Sequence, residues 1–321
     1  MNILLLGASG QLGRTFLEHG GLAAAGKLVA ASRDGALGAT VDLADPTSLS
    51  ATLDRLQPAV IVNAAAYTAV DRAEQEEALA TRVNGEAVGV LGDWAAAHDA
   101  LVIHYSTDYV FDGRQSQPYA VDAPTAPLGA YGRSKLAGEH ALRDSGAKHL
   151  LFRTAWVYAA HGHNFLRTML RLGAERDELR VVADQHGAPT DTRLIVEASL
   201  AALDRWQRAD PMRRAALSGM HHLVASGATS WHGFASAIFA QAVARGLLAR
   251  TPRVLPIATA DYPTPAQRPA WSLLDNHGFQ TLFDFPLPDW REGLDQVITQ
   301  LARPSPPSPP SPPSSPSPPS R

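Results

Sequence analysis

The 321-residue sequence contains no cysteine. That excludes disulfides and thiolate metal sites, and it suits a reducing compartment. Neither sign of charge is in excess: 28 Lys and Arg against 31 Asp and Glu leave a net charge of −3. Such a balance gives no electrostatic case for nucleic acid or an anionic membrane as partner. No apolar run reaches the roughly 18 residues a membrane-crossing helix needs. The opening MNILLLGASG has no basic segment and a glycine cuts its apolar run short, so it reads as a strand and a turn, not a signal peptide. The expectation is a soluble cytoplasmic protein.

What is present is an apolar fraction of 45%, ample for one large domain or two moderate ones. Short apolar runs alternate with amphipathic stretches through the first half. NILLL (2–6), KLVAAS (27–32), AVIVNAAA (59–66), LVIHYS (101–106) and HLLFRT (149–154) read as strands. Helices are expected at 11–20, at 45–57 behind Asp45 and Pro46, along an alanine-rich stretch ending near His98, and at 131–145. Near-continuous apolar strands alternating with helices predict an α/β fold, a Rossmann-like doubly wound parallel sheet with a smaller C-terminal substrate-binding domain. Residues 1–158 form the dinucleotide-binding domain, with 191–227 returning to it and HHLVA (221–225) as a further strand; 159–190 and 228–303 form the substrate domain. Helices are expected at 164–174, 191–206, 230–245 and 290–302. Residues 304–321, almost pure Ser and Pro, read as a disordered, polyproline-II-biased tail.

Directly after the first strand stand Gly7, Gly10 and Gly13, spaced G-x-x-G-x-x-G. Glycines there let the chain turn tightly and let a pyrophosphate approach main-chain N–H groups at a helix N-terminus. The second strand ends in Ser32 and Arg33, where a fold specific for NAD tends to place an acid. A hydroxyl and a guanidinium suit a 2′-phosphate, which favours NADPH, although the adjoining Asp34 keeps NADH open. Asp42 either sits near an adenine edge or caps the next turn.

Tyr131 and Lys135 lie at i and i+4 in YGRSKLAGE, on one face of a predicted helix. A nearby ammonium favours the phenolate, so the pair can serve as a general acid/base. Ser106 and Thr107, at the end of the fourth strand, can supply a hydrogen bond to a substrate oxygen. Trp156, just past the fifth strand, falls at the carboxyl end of the sheet, where open α/β folds bind ligands; it offers a stacking face or belongs to a domain interface. Arg268 either grips a diphosphate or forms a surface salt bridge. The His161-Gly162-His163 run lacks a third ligand nearby in sequence and reads as a solvated loop, so no metal is expected there.

With these residues in place, the sequence resembles the extended short-chain dehydrogenase/reductases, and within them the branch that reduces dTDP-linked keto sugars. MNILLLGASGQLG, VIVNAAAYTAVDRAE, HYSTDYVFDG, YGRSKLAGE, FRTAWVYA, NFLRTMLRL, DQHGAPT and YPTPAQRPAWS carry the resemblance, from residue 1 to about 302. The resemblance implies reduction of the C4 keto group of dTDP-4-dehydro-L-rhamnose to dTDP-L-rhamnose, a precursor of surface polysaccharide. It implies that Gly10, Gln11 and Leu12 contact the cofactor pyrophosphate and that Asp42 and Leu43 flank the adenine. Ala64, Ala65, Ala66, Tyr67 and Thr68 line the nicotinamide side, joined by Tyr105. Tyr131 is the proton donor, Lys135 orients the ribose, and Thr107 polarises the keto group. Thr107, Asp108 and Trp156 face the sugar, with Gln185 and Arg268 toward the nucleotide. Some members of the family form a magnesium-bridged dimer through acids; here those positions hold Thr15 and Arg193, leaving monomer and homodimer both open. A nucleotide-sugar epimerase or 4,6-dehydratase is the first rival, but Tyr109 stands where a dehydratase carries a second carboxylate after Asp108. A non-catalytic NADP-binding regulatory subunit is the other.

Overall fold

In the computed structural model, which describes residues 1–303, a seven-stranded parallel sheet carries the fold. Its strands are β1 (Asn2–Leu6), β2 (Lys27–Ser32), β3 (Ala39–Thr40), β4 (Val60–Asn63), β5 (Leu101–Thr107), β6 (Lys148–Thr154) and the strand Gly219–His222. The spatial order is Gly219–His222, β6, β5, β4, β1, β2, β3. The chain runs outward from β1 in one direction, then crosses back to β4 beside β1, so a crevice opens at the carboxyl ends of β1 and β4.

The apolar strands form a two-faced sheet because alternate side chains point to opposite sides. Ile3, Leu5, Val62, Ile103, Leu150 and Phe152 belong to one core, and Leu4, Leu6, Ile61, Val102 and Leu151 to the other. Both faces are covered by helices, so the strands are mostly apolar on both sides, and most of the few polar side chains they bury have partners inside.

Helix starts follow local chemistry. The helix Pro46–Leu56 is capped by Asp45, whose carboxylate accepts from Thr47 N and Ser48 N, with proline at its first position. The helix Gln11–His19 ends at Gly20 in the left-handed region. The alanine-rich stretch departs from the single long helix expected there. It divides into Val70–Ala73, Glu77–Thr81, a π-helical turn Arg82–Glu86 and Ala87–Ala97. Asn84 in that turn explains the break: its side chain is pulled out of register to bond Tyr67 and Ser134.

Beyond the sheet, the helices Phe165–Glu175, Trp231–Ala244 and Trp290–Ala302 pack with a parallel strand pair, Glu178–Val182 on Arg253–Ile257. The same large core unites them with one face of the sheet. No described helix is long and apolar enough to cross a membrane. The tail reading for 304–321 lies outside the described residues.

The helix Ala130–Asp144 is fastened to the sheet by an ion pair away from water. Arg153 on β6 grips Glu139 bidentately, Nε to Oε1 at 2.9 Å and Nη2 to Oε2 at 2.7 Å, with the two side chains 3% and 1% exposed. Arg153→Met leaves Glu139 charged and unpaired, and should cost about 3–5 kcal/mol in urea unfolding. Adding Glu139→Gln should recover most of that loss. A single variant within about 0.5 kcal/mol of the parent would show that the pair fastens nothing.

Candidate active site

The glycine turn closes on the neighbouring strand. Gly7 adopts φ +74°, and a Cβ there would stand 2.6 Å from Ala65 N. A Cβ on Gly13 would stand 2.1 Å from the Gly7 carbonyl oxygen. Both positions need glycine, and together they bring the turn against Ala64 and Ala65 at the end of β4. Gly10 is exposed at the helix start, where the first N–H groups have no partner within the helix. Gln11 is tethered from the far side: its side-chain oxygen accepts from Asn164 and its carbonyl from His161 Nε2. These features fit a pyrophosphate held by main-chain donors.

At the end of β2, Ser32 is buried and donates to Asp34 Oδ1 at 2.6 Å, a bond that holds the Asp34 carboxyl below its ordinary range. Arg33 is exposed beside it. Asp42 is also exposed, and its carboxylate accepts from Ala44 N, capping a local turn, while Leu43 is buried. Ala66 and Thr68 are exposed on the loop after β4; Tyr67 is half-buried, its hydroxyl donating to Glu76 and its backbone pinned by Asn84.

Tyr131 sits in the first turn of the helix Ala130–Asp144, whose start is anchored by Glu74 accepting from Ala130 N. Its ring meets Tyr109 edge to face at 5.5 Å, and its hydroxyl lies on the Thr107 side of the site. Thr107 also donates to Asp108 Oδ1 and accepts from Tyr109 N. Tyr131, Thr107 and Asp108 thus converge at the carboxyl end of β5.

Lys135 differs from the expectation. Its Nζ donates to the Tyr105 carbonyl at 2.6 Å and lies 3.2 Å from His104 Nε2. Burial pushes Tyr131 up to about 12, with the nearby Thr107 hydroxyl only partly opposing it, and no ammonium offsets the rise. Burial also brings Lys135 down to about 8. Tyr105 is likewise displaced from its expected role. Strand alternation turns its ring into the core beside Phe16 and Phe152, with its hydroxyl on Ser199, so only its carbonyl reaches the site.

The other expected residues separate. Trp156, at φ +49°, stacks face to face on Trp231 at 3.5 Å, with Gly187 against its edge. One indole face is therefore occupied. Gln185 is buried with both amide ends engaged, accepting from Trp231 Nε1 and donating to Thr259. It buttresses the tryptophan pair. Arg268 pairs with Asp71 at 2.9 Å and leans toward Tyr109, close to Tyr131. Thr15 bonds Thr192, Arg193 pairs with Glu197, and His161 turns to Gln11. No group of three or more His, Asp or Glu among the described residues could hold a metal ion. Sequence reasoning missed Asn63, Asn84, His104, Glu139 and Arg153. Each is a polar residue in an apolar strand or a helix, and only buried partners reveal its use.

A doubly wound parallel sheet, a glycine turn over β1, and a tyrosine and lysine one helical turn apart beside the end of β5 define the short-chain dehydrogenase/reductase class. The chain belongs to the RmlD substrate binding domain family, whose model matches residues 1–303. It is 47% identical over 303 residues to a dTDP-4-dehydrorhamnose reductase of Burkholderia thailandensis, covering 94% of this chain and 99% of that protein. A crystal structure of a dTDP-4-dehydrorhamnose reductase from Clostridium acetobutylicum superposes with a TM-score of 0.84 at 32% identity, covering 94% of this chain and all of that one. One from Bacillus anthracis, in complex with NADP, gives 0.81 at 30% identity, covering 93% and 99%.

Asp108 is 1% exposed, its Oδ2 has no hydrogen-bond partner, and burial raises its pKa to about 6. Its folded value lies above its unfolded one. Its contribution to stability is therefore full below about pH 4 and lost as pH rises through 6. Above that, the ionised carboxylate costs the fold about 3 kcal/mol. Asp108→Asn should raise the urea midpoint at neutral pH and leave it unchanged at acid pH. An equal change at both would mean that Asp108 does not ionise in the folded protein.

Proposed function

We propose that the protein is an NADPH-dependent reductase of the C4 keto group of dTDP-4-dehydro-L-rhamnose, giving dTDP-L-rhamnose for surface polysaccharide. The convergence of Tyr131, Thr107 and Asp108 at the carboxyl end of β5 carries this reading, within a family whose named relatives are dTDP-4-dehydrorhamnose reductases. When bound, NADPH supplies the hydride. Gly10, Gln11 and Leu12 hold its pyrophosphate, and Arg33 meets its 2′-phosphate. NADH serves less well, because it brings no 2′-phosphate to Arg33.

Tyr131 donates the proton to the developing alkoxide. A phenol pushed to about 12 keeps its proton until negative charge appears next to it. Thr107 donates to the same oxygen, and Lys135 lowers the cost of the phenolate left behind. Asp108 and the free face of Trp156 confront the sugar. Arg268 closes the nucleotide side, and Gln185 acts there through the tryptophan pair. Elimination chemistry is disfavoured because Tyr109 replaces the second carboxylate and packs on Tyr131. The enzyme works in the cytoplasm as a monomer or homodimer.

Reduced-cofactor absorbance should fall when dTDP-4-dehydro-L-rhamnose is added to the protein with NADPH. No fall with either cofactor, from protein that binds one of them, would favour a regulatory subunit or another keto sugar. Tyr131→Phe should lower kcat by about 10²–10⁴-fold with cofactor affinity kept; a variant retaining most of its turnover would assign the proton to another group. Arg33→Ala should weaken NADPH about tenfold more than NADH. Equal weakening would separate Arg33 from the 2′-phosphate.

A further inference from the structure

A buried chain of hydrogen bonds runs behind the active site, and its direction can be read. At one end, Ala65 N–H faces Asn63 Oδ1 at 3.2 Å. A backbone N–H only donates, so the oxygen of the Asn63 amide is fixed there and its NH2 points the other way. That NH2 lies 3.1 Å from His104 Nδ1. An amide NH2 also only donates, so Nδ1 is the bare, accepting nitrogen. A neutral imidazole then carries its one proton on Nε2, which lies 3.2 Å from Lys135 Nζ. An ammonium has three donors and no lone pair, so only a neutral amine can accept from Nε2–H. The amine's own N–H donates to the Tyr105 carbonyl at 2.6 Å. In this arrangement every group from Ala65 to Tyr105 is satisfied. With Lys135 protonated, two donors face each other inside a site where His104 and Lys135 are 1% and 2% exposed.

We propose that His104, oriented by Asn63, is a positioning residue that holds Lys135 as a neutral amine in the cofactor-free protein, so that cofactor binding draws a proton from solvent onto Nζ. The second half rests on the reading of Lys135 as the group that meets the cofactor ribose. The other charged or titratable groups around the pair are few. Glu139 and Tyr131 come from the lysine's own helix, and His149 on β6 acts on His104. Burial already lowers Lys135, with Glu139 opposing, and burial chiefly takes His104 well below its ordinary value, the Asn63 main chain opposing. The hydrogen bond from Nε2–H stabilises the amine further, which places the neutral form within reach of working pH.

The test is ¹⁵N NMR of histidine-labelled, cofactor-free protein near pH 8, the two ring nitrogens reporting which one is protonated. His104→Gln identifies the resonance. The expected state is Nε2–H with bare Nδ1; an Nδ1–H or doubly protonated ring overturns the proposal. Calorimetric titration with NADP⁺ in buffers of different ionisation enthalpy should show net proton uptake, and binding without uptake overturns the second half. Failure of NADP⁺ to bind would instead strike the proposed function and leave the tautomer result standing. In the assay, His104→Phe should move the lysine limb of the pH profile of kcat/KM for the cofactor up by about one unit, because the neutral amine loses its donor. His104→Gln, whose amide reaches the Nε2 position, should restore it. A purely structural role would lower kcat in both variants without moving the limb. If His104→Phe does not fold, the wild-type NMR result decides alone.

Discussion

The geometry of the site depends on where one helix sits along the sheet, and the Arg153–Glu139 pair sets that position. Tyr131, Lys135 and Glu139 fall on one stripe of the helix Ala130–Asp144, each a turn beyond the last. Glu139 is held by two strands at once: Arg153 grips it from β6, and Ser106 donates to it from β5 at 2.5 Å. Ser106 is the residue before Thr107, and Ser106 and Arg153 are register partners across β5 and β6. Fixing Glu139 therefore fixes how far Tyr131 stands from Thr107. Arg153 Nη1 donates to the Val121 carbonyl, and its guanidinium lies over Phe111, so the same cation steadies the chain beyond β5. A buried pair of this kind adds little net stability over apolar packing, but its directional bonds define a unique register.

With the helix fixed, burial dominates the electrostatics. Tyr131 is raised, Lys135 lowered and Asp108 raised, each because water is kept from the group. All three shifts favour the uncharged form. Burial thus keeps the phenol protonated, while the Asp108 carboxyl ionises near pH 6. The Tyr131 hydroxyl stands on the Thr107 side of this volume, while the Thr107 proton is turned to Asp108.

Much of the sheet was legible because its strands are buried on both faces. NILLL and KLVAAS occupy the expected spans, and Asp45 with Pro46 marked a helix start that the structure keeps. Periodicity failed at 70–97, where the apolar residues suit one helix but Asn84 requires a π-helical turn. Tyr131, Lys135 and Thr107 were legible as a motif. Their hydrogen bonds were not, because spacing along a helix does not say which way a flexible lysine turns. Tyr105 shows the converse: its carbonyl meets Lys135 while its ring lies in the core, since a strand sends alternate residues to opposite faces. His104 looked like an ordinary residue of an apolar strand, and nothing in the sequence joins it to Asn63 or Lys135.

The end of β2 illustrates how a local bond can change the meaning of a motif. Ser32 and Arg33 both suit a phosphate when read as letters. In the structure the Ser32 hydroxyl is spent on Asp34, whose carboxylate also accepts from Ala36 N. The loop is thereby tightened so that Asp34 turns back onto the strand while Arg33 stays at the surface. A carboxylate bound to its own loop is a weaker partner for ribose hydroxyls than an unbound one, because a new hydrogen bond must displace an existing one. A guanidinium in solvent loses little on meeting a phosphate and gains a bidentate contact. The balance at this corner therefore rests on which side chain the loop has already satisfied, and it favours the phosphorylated cofactor despite the acid beside it.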